Sequence, residues 1–220
     1  MAVSRDAALA AVRAALDTLS DVYVDAATES DLYEAALLTE AVRAARDAGG
    51  TVLLTNDGHS RPRAVVFRRS PGNLWNQQFT YAKVTFSPTR ILEIHLGVFV
   101  LATSGVPHEC DVAVLDHDEA QRSRQANVHP RASKLIAAIE AKNYSAPPGL
   151  NIGRSFLGLS TELGPGKSFL AFPSSHARSV ETLLAKRSSE CFSGVVPASP
   201  DADGLRKHIE KKIKNWVVQG

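Results

Sequence analysis

Residues 90–116, RILEIHLGVFVLATSGVPHECDVAVLD, hold two long runs rich in branched apolar residues on either side of a Thr-Ser-Gly-Val-Pro turn. Such runs satisfy their backbone by pairing, so the chain must build a sheet around a hairpin or two neighbouring strands here. Ahead of them, 51–55 (TVLLT), 63–68 (RAVVFR) and 79–86 (FTYAKVTF) read as further strands, separated by the turn sequences NDGHSRP and SPGN. Trp75 is expected to pack the second of these loops against the sheet. Apolar residues recur at helical spacing over 5–19 and, more strongly, over 31–48, where Gly49-Gly50 stops the helix.

Beyond the hairpin, residues 117–134 are polar and basic and read as an excursion from the sheet. The chain then returns as a short strand, KLIAAIEAKN (134–143), broken by YSAPPG. A helix within 150–163, a strand at 168–174, a helix at 176–187, a strand at 191–197 and a terminal helix at 201–218 follow. Strands alternating with helices predict an α/β fold with helices on both faces of the sheet. At 220 residues and 44% hydrophobic, the chain can bury one substantial core and reads as a single domain over 1–220.

The longest apolar stretch is interrupted by His95 and is too short to cross a bilayer. The first residues have acidic groups where a secretory signal would carry an apolar core, so a cytoplasmic protein is expected. Cys110 and Cys191 form no Cys-x-x-Cys pair and are expected to be reduced. The net charge of +2 conceals an asymmetry: residues 1–50 carry 4 basic and 9 acidic side chains, and the remainder carry 21 and 14. A positive main body permits a polyanionic partner.

On a strand, Glu140 and Lys142 share one face while Ile139 and Ala141 take the other. A carboxylate and an ammonium on an otherwise apolar element are costly unless they are wet or partnered. Asp111 opens another strand, and if the two lie side by side, Asp111 and Glu140 converge from adjacent strand ends. Two oxygen ligands with bridging waters suit Mg²⁺, a hard cation. Hydrolysis of a phosphodiester needs such an ion to activate water and neutralise phosphoryl charge, and Lys142 would orient or help deprotonate that water.

Asp111-Val-Ala-Val-Leu, a spacer, and Glu140-Ala141-Lys142 together resemble the PD-(D/E)xK nuclease superfamily. The resemblance implies a restriction-endonuclease-like mixed sheet flanked by helices, with a core at about 31–175, an N-terminal helix and a C-terminal α/β extension. It further implies that Asp111 and Glu140 bind the divalent metal, Mg²⁺ or Mn²⁺, and that Lys142 serves the attacking water. A helical glutamate commonly joins such sites, and Glu34 is chosen for that role with Glu40 as the other candidate. Cys110 stands where the nominal proline would be.

The function this implies is a metal-dependent endonuclease acting on DNA in restriction, defence or repair. Arg122, Arg124 and Arg131 would contact backbone phosphates, and a homodimer or a partner recognition subunit would complete the assembly. Each residue also has an ordinary structural reading. Asp111 could be a turn acceptor, Glu140 and Lys142 an exposed edge pair, and Glu34 a solvent-facing helix residue. On those readings the chain is an inactive nucleic-acid-binding module or a protein-interaction subunit with a nuclease-like fold.

Other clusters carry less. His108, Cys110 and His117 suggest zinc, but the strand spaces Cys110 and His117 roughly 20 Å apart by contour. Glu109 is taken as a partner for a basic residue, brought inward only by a twist or bulge. Glu93 and His95 share a strand face and could support the site from the neighbouring strand. Gly-Pro-Gly-Lys-Ser at 164–168 lacks full phosphate-loop spacing, and Ser174, Ser175 and His176 lack a nucleophile elbow.

Overall fold

Strand-forming sequence draws the chain into one seven-stranded sheet in a computed structural model that describes residues 1–16, 19–76 and 79–219. The strands are β1 (Thr51–Thr55), β2 (Tyr81–Ser87), β3 (Arg90–Leu101), β4 (Pro107–Asp116), β5 (Leu135–Ala141), β6 (Ser168–Ala171) and β7 (Glu190–Phe192), ordered as in sequence. From β1 to β5 every neighbour is antiparallel, and β5, β6 and β7 run parallel. Parallel neighbours need crossovers, and α5 (Leu150–Leu163) and α6 (Arg178–Ala185) supply them. The α/β class and the mixed sheet flanked by helices are therefore as expected.

The central helix is α3 (Glu29–Asp47), and its first turn explains where it starts. The Thr28 hydroxyl accepts the Asp31 N–H at 3.2 Å while the Asp31 carboxylate accepts the Thr28 N–H at 2.7 Å, a reciprocal cap. Gly49, at φ 93°, ends the helix in a conformation that glycine adopts without strain. The α3 surface is rich in alanine, and Ala35, Ala36, Ala41, Ala44 and Ala45 are all buried, so neighbours approach closely on several sides. Those neighbours are α1 (Arg5–Ala15), α7 (Pro200–Val218) and the sheet, whose Val84, Ile94, Val112, Ile139 and Phe169 share one apolar core with α3. A second cluster, with Val98, Val100, Ala113 and Leu115, receives Leu163 from α5.

Several elements depart from the sequence reading. The polar excursion is mostly a helix, α4 (His117–Ala126), whose N-cap Asp116 accepts the Asp118 N–H at 3.0 Å. The expected strand at 63–68 is not a sheet strand. Its buried Val65 and Phe67 do alternate toward the core, but Val66 N–H is taken by the Thr80 hydroxyl at 2.9 Å and Val65 O by the Ser20 N–H at 2.9 Å. An extra short helix, α2 (Asp21–Ala26), buries Tyr23 and Val24. Asp17 and Thr18, expected within the first helix, lie outside the described residues. Among the described residues no helix is long and apolar enough to cross a membrane.

Candidate active site

β4 and β5 pair antiparallel with Val112 opposite Ile139 and Ala113 opposite Ala138, and Asp111 and Glu140 are the next residues past that ladder. The two strands do lie side by side, but Asp111 does not open its strand as expected: β4 begins at Pro107 and Asp111 sits in its middle, beside the end of β5. Asp111 is buried, and its carboxylate accepts the Ala141 N–H at 2.6 Å. The residue thus closes the strand pair, and the amide it binds lies between Glu140 and Lys142.

Lys142 is placed from both ends. Its backbone N–H donates to Ala171 O of β6 at 2.9 Å, and its ammonium meets a Glu140 oxygen at 2.6 Å. Both side chains keep about a fifth of their surface exposed, so the pair opens to solvent. Burial acts against the ammonium, but Glu140 and Asp111 outweigh it and hold the Lys142 pKa above the usual lysine value. Lys142 is therefore a firmly protonated donor.

Glu34 arrives from α3. Burial pushes its pKa up to about 8, and the charges of Asp111, Asp31 and Glu109 push the same way against Lys142. Asp111 is raised by burial first and by Glu140 next, while Lys142 and the Ala141 N–H oppose the shift. Glu109 is raised by burial and then by Glu140. Glu34, Asp111, Glu109 and Glu140 therefore share one electrostatic neighbourhood with Lys142, in which Glu140 touches the ammonium directly. Glu40, the alternative to Glu34, is buried elsewhere: it meets Arg43 at 2.8 Å and Arg206 of α7 at 3.6 Å.

One contributor was misjudged in sequence and another was missed. Glu109, read as a partner for a basic residue, stands two residues from Asp111, and its carboxylate feels Glu140 and Lys142. Asn143 was not singled out. Its carbonyl oxygen accepts the Val3 N–H at 2.9 Å, and its amide nitrogen donates to Val3 O at 3.2 Å and Glu29 O at 3.3 Å. That lashes the exit of β5 to the N-terminal segment and the first turn of the helix carrying Glu34. Only its position next to Lys142 could have drawn attention.

The remaining candidates sit in other interactions. Arg124 grips Glu93 with both arms at 2.9 and 2.5 Å, and the fully buried Glu93 also meets His95 at 2.7 Å and His117 at 2.6 Å. Burial opposes the Glu93 charge, but these donors win and hold its pKa far below the usual carboxylate range. Glu93 lies opposite Leu115, four residues along β4 from Asp111 and hence about 13 Å by strand rise. It forms a polar centre of its own. Arg122 and Arg131 both bind Glu119, at 2.6 and 2.5 Å. Cys110 is buried in an apolar cluster, and burial drives its thiol pKa up. Lys167 of the glycine-rich turn donates to Ala132 O at 2.8 Å, and the Ser174 hydroxyl is buried without a partner among the described residues.

The donor set of the cluster is oxygen only and carries more negative charge than Lys142 offsets, which suits a hard divalent cation. As the side chains stand, no three His, Cys, Asp or Glu residues among those described converge closely enough to hold a metal ion directly. Direct ligation would therefore come from one or two carboxylates, with water linking the others. Comparison with known protein families, curated proteins and solved structures gives no match.

Proposed function

We propose that the chain is a Mg²⁺-dependent endonuclease of the PD-(D/E)xK kind that hydrolyses DNA phosphodiester bonds. The observation that carries this reading is the Asp111 carboxylate on the Ala141 N–H, which sets the middle of β4 beside the end of β5, where Glu140 and Lys142 lie. Asp111 and Glu140, with Glu34 through water, would hold the cation. When bound it would supply Lewis acidity, lowering the pKa of water and neutralising charge on the phosphoryl oxygens.

The protein's own groups have distinct tasks. The Ala141 N–H fixes one Asp111 oxygen and leaves the other for the cation. Lys142, kept protonated by Glu140 and Asp111, orients the attacking water and stabilises charge growing on the phosphate. It does so as a donor and not as a base. Arg122 and Arg131 keep partly exposed guanidinium groups, so phosphate contact there would compete with Glu119.

The test is incubation of the purified protein with circular, linear and single-stranded DNA in Mg²⁺ or Mn²⁺. Cleavage that Lys142→Ala abolishes supports the reading. No cleavage of any substrate, or undiminished cleavage by Lys142→Ala, refutes it.

A further inference from the structure

A cleft of about 480 Å³ opens beside β2, β3 and α4, with Arg68, Trp75, Phe79, Asn56, Asn76 and Asn127 in its wall. That volume lies within the usual range for small-ligand pockets. Arg68 is the unusual member. Its side chain donates to Asn73 O at 2.7 Å and its guanidinium lies 4.6 Å above the Phe79 ring, yet it is only 8% exposed. Among the described residues no carboxylate reaches it, and burial alone pushes its pKa down.

A buried cation with no counter-charge is costly, and the surroundings nevertheless make room for it. A Cβ on Gly72 would fall 2.2 Å from the Arg68 Nη1, so the glycine clears the space the guanidinium occupies. The other charges of the cleft are already used. Arg124 has both arms on Glu93, and the Asp57 carboxylate is taken by donors from Thr55, His59 and Ser60. Arg68 is thus the cation left for an anion, among the described residues lining the cleft.

The rest of the wall suits a flat ring with polar edges. Trp75 is half-buried, lines the cleft and has its ring 5.3 Å from that of His129 at a 52° tilt, and the amides of Asn76 and Asn127 have no hydrogen-bond partner among the described residues. The Asn56 carbonyl accepts from the Thr80 hydroxyl at 2.7 Å, which leaves its NH₂ to donate. Aromatic surface with amide donors and acceptors is the combination that holds a nucleobase out of a stack.

We propose that this cleft binds a single nucleotide, its phosphate on Arg68 and its base against Trp75 with the asparagine amides along the base edge. The nucleotide is either free or one unit of a nucleic-acid strand. The cleft shares no lining residue with Asp111, Glu140 and Lys142, and its occupation requires no metal.

Isothermal titration of the full chain in EDTA with the common 5′-mononucleotides, their nucleosides, inorganic phosphate and a short single-stranded oligonucleotide tests the proposal. Because no divalent ion is present, failure of the metal reading does not affect the result. Saturable binding of a mononucleotide, weaker for its nucleoside and for phosphate, is expected. Tighter binding of the oligonucleotide assigns the ligand to a strand, and equal or weaker binding assigns it to the free nucleotide. Arg68→Met should lower affinity about tenfold or more while the thermal midpoint holds or rises, because an uncompensated buried cation is replaced by an apolar chain. Trp75→Ala, in the loop, should also weaken binding about tenfold. The proposal is overturned if neither nucleotide nor oligonucleotide binds, if phosphate binds as tightly as nucleotide, or if both variants bind like the parent.

Discussion

Asn143 and Val3 grip each other by two hydrogen bonds, 2.9 Å into the Asn143 carbonyl and 3.2 Å out of its amide, across 140 residues of sequence. The same amide reaches Glu29 O, so one side chain joins the N-terminal segment, α3 and the exit of β5 that carries Lys142. Asn143→Ala should cost about 1–3 kcal/mol, since two backbone groups of Val3 lose their partner. Chemical denaturation measures the loss, and hydrogen exchange should show faster exchange at the Val3 amide. An unchanged denaturation midpoint would mean that the grip does not hold the site together.

Glu34 gives stability a pH dependence of defined sign. Its folded pKa, about 8, lies above the unfolded carboxylate value, so the folded state binds the extra proton between them. Stability from this group is therefore full below pH 4–5 and is lost as pH rises toward 8. Glu34→Gln should flatten that slope and stabilise the protein by about 1–3 kcal/mol at alkaline pH. Thermal melts of parent and variant across this range check it, and parallel curves would refute it.

The proposed cation must displace protons from the same cluster. Mg²⁺ affinity should then rise with pH toward 8, and binding should release protons into weakly buffered solution. Calorimetry in two buffers of different ionisation enthalpy separates the proton release from the binding heat. Affinity that is flat across this range would exclude Glu34 and Asp111 as the groups that meet the metal.

Asp111→Asn separates chemistry from folding. The asparagine carbonyl can still accept the Ala141 N–H, so the strand pair persists, but the anionic oxygen is lost. DNA cleavage should fall by about a hundredfold or more while the thermal midpoint stays within a few degrees or rises. Full cleavage by the variant would remove Asp111 from the site.

The Glu93 centre should be structural and severe. Glu93→Ala leaves the half-buried Arg124 guanidinium and two histidines without their acceptor and should cost about 3–5 kcal/mol. A urea titration measures this, and a loss within experimental error would contradict the network.

What could be read from the sequence follows a physical division. β3, β4 and β5 were legible because alternation and turn residues are local signals, and the approach of Asp111 to the end of β5 was foreseeable once those two strands were taken as neighbours. The segment at 63–68 has the same alternation, but whether an extended segment joins a ladder depends on which groups meet its backbone, here Thr80 and Ser20. α4 was hidden because its buried positions include Glu119 and Ser123, so an apolar period never appears. The arginines of that region read as free cations until Glu93 and Glu119, one of them on a distant strand, are seen beneath them.

β5 is the seam of the sheet: its other edge pairs antiparallel with β4, and only on this one do parallel strands begin. The β2–β3 and β3–β4 hairpins close short loops and β5 follows β4 by way of α4, whereas β6 must wait for the whole of α5 to be made. During synthesis Asp111 can meet Glu140 as soon as β5 emerges, but the Lys142 amide finds Ala171 only afterwards. The two carboxylates are thus in place before the lysine is anchored, and docking of residues 168–171 is the event that completes the constellation.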